Sequence, residues 1–133
     1  MSGIKVMAYS KSGDGSVSLA KNFKVREFAC KDGSDAVFVS PDLVDLLQKI
    51  RDRFGKPVTV HSAYRTPAYN KKVDGAAQSR HLYGQAADIS ISGVSPKAVA
   101  DFAETLLPGS GGIGIYSSFT HVDVRAAKSR WKG

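Results

Sequence analysis

Residues 40–61 read SPDLVDLLQKIRDRFGKPVTVH, and this stretch contains one helix, both of its ends and the strand that follows. Ser40 carries the side-chain oxygen that caps a helix N-terminus, and Pro41 suits the first helical position, where a missing N–H costs nothing. Leu43, Leu46, Leu47 and Ile50 recur at helical spacing, and Phe54 continues that face. Gly55 stands where a left-handed C-terminal cap belongs, and Pro57 bars further helix. Val58-Thr59-Val60-His61 then has the β-branched alternation of a strand.

The same signals recur on either side. Thr66-Pro67 opens a shorter helix ending near Asp74-Gly75, and Ala86 to Ile91 alternates as a strand. Ser95-Pro96 starts a third helix with Val99, Phe102, Ala103 and Leu106 on its inner face, stopped by Pro108 and the glycines of 109–114. Strands at about 112–116 and 120–125, with Ser117-Ser118 between them, predict an antiparallel hairpin. Upstream, residues 2–9 predict a short strand, and the Gly- and Ser-rich residues 11–20 predict a loop or mobile tether. The expected division is an N-terminal strand and flexible segment over 1–21, then one domain over 22–133. The order of elements implies an α+β fold: a small, mostly antiparallel sheet with helices packed on it.

The chain has 133 residues, enough for one domain with a real core. Nineteen Lys and Arg against twelve Asp and Glu give a net charge of +7, which favours encounters with polyanions (nucleic acid, anionic membrane or a bacterial wall) without choosing among them. The basic residues are scattered, with no cluster interleaved with aromatics, so a nucleic-acid partner is not expected. Cys30 is the single cysteine, which excludes an intramolecular disulfide and a multi-cysteine zinc site. No run approaches the ~20 apolar residues of a membrane span, so stable membrane insertion is not expected. The N-terminus lacks the apolar run of a secretory signal peptide; synthesis in the cytoplasm is expected. A monomer is expected, because no long apolar stripe is left over.

Histidine occurs only at 61, 81 and 121. His81 and Asp88 lie seven residues apart across a Tyr83-Gly84 turn, and His121 approaches from a neighbouring predicted strand. Two imidazoles and a carboxylate satisfy the ligand count of a catalytic zinc that keeps one position open. The His81 to Asp88 spacing by itself is a weak signal. His61, at a strand end, is expected to be structural. Tyr83, Tyr116 and Trp131 either shape a groove or pack the core.

Three separated motifs strengthen the metal reading. Ser79 to Asp88 resembles the S-x-H-x-x-G-x-A-x-D signature of the peptidase M15 group, the D-Ala-D-Ala carboxypeptidases and related endopeptidases that share a fold with hedgehog signalling domains. Ser62 to Pro67 (SAYRTP) resembles its S-x-Y-R-[ST]-P element, and Gly111 to Tyr116 with Phe119 to Asp123 resembles the ending of one subgroup. The resemblance runs from about Asn22 to Trp131. It implies Zn2+ held by His81, Asp88 and His121, and a peptidoglycan peptide as substrate. Arg65 matches an arginine that holds the developing oxyanion.

At Ser118 this chain departs from the many members that carry an acid three residues before the last histidine. The nearest carboxylate is Asp123. It either accepts a proton from the attacking water or orients His121 or Arg125. The implied function is a zinc peptidase cutting peptidoglycan stem peptides or cross-links, of the kind that phage lysis enzymes supply. A rival reading, prompted by Ser118, is a zinc-holding binding module with weak or no catalysis.

Overall fold

The computed structural model describes residues 4–133. In chain order the elements are β1 (Met7–Ser10), α1 (Lys11–Asp14), β2 (Ser18–Ala20), β3 (Phe23–Lys24), β4 (Ala36–Val39), α2 (Pro41–Phe54), β5 (Val58–Ser62), α3 (Pro67–Lys72), β6 (Ala86–Ile91), α4 (Pro96–Leu106), β7 (Gly112–Ile115), β8 (Thr120–Asp123) and β9 (Ser129–Lys132). Short 3-10 turns cover Val25–Phe28 and Arg80–Tyr83. The fold is α+β.

The central sheet runs β5-β6-β8-β7-β9, antiparallel throughout except for the parallel β7–β9 pair. Its two faces have opposite character. Ala87, Ile89, Ile91, Ile113 and Val122 point into one apolar core with Leu43, Leu47 and Ile50 of α2 and Val99 and Ala103 of α4. Each large aliphatic side chain buried there stabilises the fold by roughly 1.5–3 kcal/mol. The period-2 alternation of strands sends the intervening residues, Asp88, His121 and Asp123, to the opposite face.

The helix starts were legible because their caps are local. Ser40, Thr66 and Ser95 each accept a backbone N–H through the side-chain oxygen, with proline next in line. Gly55 closes α2 at φ 64°, the left-handed region that glycine enters without a Cβ penalty.

The N-terminal expectation needs correction. Residues 11–20 hold α1 and β2 rather than a loop or tether throughout. Asp35 organises this segment: Ser10 Oγ donates to Oδ2 at 2.7 Å and Ser12 N to Oδ1 at 2.7 Å, while Lys11 N donates to the Asp35 carbonyl at 2.7 Å. A partner 23 residues away in sequence is invisible to local reading. Of the strand expected over 2–9, only the end appears, as β1 paired with β4; residues 4–6 are not strand, and residues 2 and 3 lie outside the described residues. Strands β3, β4 and β9 were not anticipated. Among the described residues no helix is long and apolar enough to cross a membrane.

Candidate metal centre and cleft

Asp88 and His121 face each other directly across the antiparallel β6–β8 pair. Register alone therefore puts both side chains on one face, close together. His121 Nδ1 lies 2.9 Å from Asp88 Oδ1. His81 comes from outside the sheet, on the 3-10 turn that Ser79 caps and Gly84 closes at φ 69°. Its Nε2 lies 3.2 Å from Asp88 Oδ2. One donor atom from each of the three residues lies within 4.8 Å of the other two, and all three residues are buried.

Each imidazole has its outward nitrogen engaged. His81 Nδ1 is 2.6 Å from the Ala63 carbonyl, which accepts only, so this nitrogen carries the proton. The Arg65 amide returns a bond to the His81 carbonyl at 3.0 Å. The SAYRTP segment thus clamps His81 on both sides. His121 Nε2 donates to Asp123 Oδ2 at 2.8 Å. In both rings the remaining nitrogen faces Asp88. Two imidazole nitrogens and a carboxylate converging on one point fit a zinc ion, and each imidazole is oriented from behind by an acceptor.

Asp123 is fully buried and sits behind His121, away from Asp88. It accepts from Gly112 N at 2.9 Å and from Arg125 Nε and Nη2 at 2.9 and 2.6 Å. Gly112 lies opposite Asp123 on β7, where any Cβ would collide with the carboxylate. Gly114 lies opposite His121 and leaves room for the Trp131 indole, whose ring centre is 5.0 Å from that of His121. Gly112 and Gly114 explain the GIG of residues 112–114: the polar face of β7 must be bare.

The charged network shifts its own titrations. Burial pushes the Asp88 and Asp123 carboxyls up, but the hydrogen bonds outweigh it and hold both below the ordinary carboxylate range. Those bonds come from His121 and His81 for Asp88, and from His121 and Arg125 for Asp123. For His121 burial lowers the pKa, and the bonds to Asp123 and Asp88 overcome it and raise it. A depressed acid stabilises the fold above its unfolded pKa of about 3.9 and loses that as pH falls through the folded value; a raised histidine stabilises below about 6.5 and loses that as pH rises through the folded value. In metal-stripped protein the cluster's contribution is therefore complete between about pH 4 and 6.5. Thermal melts of the stripped wild type are expected to fall from pH 6 to pH 9 more steeply than those of His121→Gln. Equal slopes would show that this network does not hold the proton.

A cleft of about 430 Å³ opens over the three residues, lined also by Arg65, Asp74, Arg80, Tyr116, Arg125 and Trp131. Arg65 is fixed by Ser62 Oγ at 3.1 Å and Asn70 Oδ1 at 3.2 Å, with Nη2 3.5 Å from Asp88 Oδ2. Trp131 Nε1 donates to Tyr116 Oη at 2.9 Å, and Tyr116 stacks on Phe119. Two of the three aromatics singled out from sequence therefore shape the cleft, whereas Tyr83 lies outside it. His61 also lies outside, with Nε2 2.6 Å from Ser90 Oγ. Ser118 is exposed in the β7–β8 turn and does not line the cleft. Asp74 was missed: it is exposed, adopts φ 56°, and lines the cleft as its one open carboxylate among the described residues. Its tolerance of a left-handed backbone is ordinary for Asp, and sequence offered no signal for its place.

Residues 20–123 match the family model described as Peptidase M15. The zinc D-Ala-D-Ala carboxypeptidase of Streptomyces albus G is 39% identical over 83 residues, covering 57% of this chain and 31% of that protein. The peptidoglycan L,D-endopeptidase MepK of Escherichia coli strain K12 is 31% identical over 99 residues, covering 68% of this chain and 53% of that protein. The chain thus spans 31% and 53% of the length of these two curated relatives. With the matched span taking in all three motifs and every residue of the His–Asp–His cluster, the chain belongs to the peptidase M15 family.

Proposed function

We propose that this protein is a zinc peptidase that hydrolyses amide bonds in the peptide part of peptidoglycan, with His81, Asp88 and His121 holding the metal. The observation that carries the reading is the convergence of those three donors at the floor of an open cleft, each histidine oriented from behind. The names of the two relatives, one a carboxypeptidase and one an endopeptidase, support the substrate class.

Zinc, when bound, supplies Lewis acidity to the scissile carbonyl and lowers the pKa of water. The chain's own residues do the rest. Arg65, pinned by Ser62 and Asn70, points a fixed cation into the cleft, where it stabilises negative charge developing on the carbonyl oxygen. Asp123 is closed off from the cleft and works as a positioning residue for His121. The proton leaving the attacking water needs an acceptor with access to the cleft. Asp74 is the carboxylate that meets this requirement, and returning the proton to the leaving amine completes the hydrolysis.

The test is release of amino groups from purified sacculi. Zinc-loaded wild type is expected to release them, and a chelator to stop the release. Asp74→Asn is expected to keep its zinc while losing about 10²–10⁴ in rate. Sacculi left intact by the zinc-loaded protein would overturn the peptidase reading, and full activity in Asp74→Asn would remove Asp74 from it.

A further inference from the structure

Three arginines line the cleft, and two of them are already committed. Arg65 is held by Ser62, Asn70 and Asp88, and Arg125 by Asp123. Arg80 is different. It forms no salt bridge among the described residues, and its Nε is buried without a hydrogen-bond partner.

An unmatched buried donor on a permanently charged group is costly and rare in a folded protein. The backbone at Arg80 is fixed all the same: its carbonyl accepts from Gln85 N at 3.1 Å and caps the turn through Gly84 N. Arg80 immediately precedes His81, so its backbone is held beside the metal centre and the residue borders the same cleft. A guanidinium is a planar fork of donors that matches a carboxylate in two parallel bonds. A guanidinium without a carboxylate partner among the described residues, bordering a peptide-sized cleft, calls for an anionic planar partner.

We propose that Arg80 binds a free carboxylate of the peptide substrate and thereby selects which peptides enter the cleft. This rests on the peptidase reading for the nature of the ligand. In a stem peptide whose γ-linked glutamate is amidated, two carboxylates have the required chemistry: the one at its C-terminus and one on a diamino-acid side chain.

The test measures binding of synthetic stem peptides to metal-stripped protein, so that no hydrolysis intervenes. Three peptides separate the sources: the parent, its C-terminal amide, and a version whose diamino acid is replaced by lysine. Wild type is expected to bind the parent roughly ten- to a hundredfold more tightly than one of the other two, the loss expected for a charge-assisted pair. The peptide that loses affinity identifies the carboxylate. Arg80→Gln is expected to bind all three alike. Arg80→Lys, which keeps the charge without the fork, is expected to retain a reduced preference. Zinc uptake by both variants reports that neighbouring His81 is undisturbed.

Equal binding of all three peptides by wild type, or an unchanged preference in Arg80→Gln, would overturn the proposal. A preference that depends on Arg80 in a protein that cleaves no sacculi removes the peptidase reading and leaves the carboxylate site standing. Cleavage of sacculi without an Arg80-dependent preference removes the carboxylate site alone.

Discussion

Replacing His121 by alanine is expected to strip the protein of zinc and lower peptidoglycan hydrolysis on the order of a thousandfold or more. The size follows from what the ring does. Its Nδ1 is one of three converging donors, and its Nε2 links the centre to buried Asp123. The two remaining donors, His81 and Asp88, leave a weakly held ion or none. The fold is expected to survive, because His121 sits on the polar face of the sheet and the apolar core is on the other. Zinc content and rate on sacculi check the first claim, and circular dichroism checks the second. A His121→Ala protein that keeps stoichiometric zinc would contradict the assignment of that ligand.

Asp123→Ala carries the second large effect, and it separates the two roles that sequence left open. The substitution leaves the Gly112 amide, the Arg125 guanidinium and His121 Nε2 without their shared acceptor. Breaking a buried charged pair by removing one partner costs about 3–5 kcal/mol, so a large drop in melting temperature is expected. Loss of an acceptor behind a metal-binding histidine costs about 10–100-fold in metal affinity. Asp123→Asn keeps the volume and should show the affinity loss with a smaller stability loss. If Asp123 were instead the proton acceptor, Asp123→Asn would lose turnover while binding zinc as tightly as wild type. Zinc titration beside turnover at saturating zinc distinguishes the two patterns.

What sequence made legible is what local chemistry encodes. Ser40, Thr66 and Ser95, each followed by proline, announced three helices, and Gly55 marked the end of the longest. The strand at Ala86–Ile91 followed from alternation, and the hairpin over residues 112–123 from the short Ser117-Ser118 connection. The His–Asp–His cluster was readable because the motifs name its members, and the cross-strand register of Asp88 and His121 gives the physical reason they meet.

The misses have a common cause. Strand β9 pairs in parallel with β7 after a crossing of the β7–β8 hairpin, and β1 pairs with β4 across 26 or more residues. Such partners leave no local pattern. Asp35, which organises residues 10–12, is likewise distant. Within the site, the direction of Asp123 depended on whether Gly112 left space for its carboxylate. Spacing on a strand gave the face and the partners His121 and Arg125, but left open the choice between orienting them and accepting a proton. Asp74 and Arg80 owe their interest to a cleft that several elements build together, and neither residue type is unusual in its sequence setting.

The most direct test of the central claim is the zinc content of the purified protein beside that of His81→Ala, Asp88→Ala and His121→Ala. The expected result is about one zinc per chain in wild type and a loss of zinc in each variant, with thermal stability of wild type falling on chelation. Wild-type protein that neither carries zinc nor takes it up when offered would contradict the metal centre, and with it the proposed peptidase.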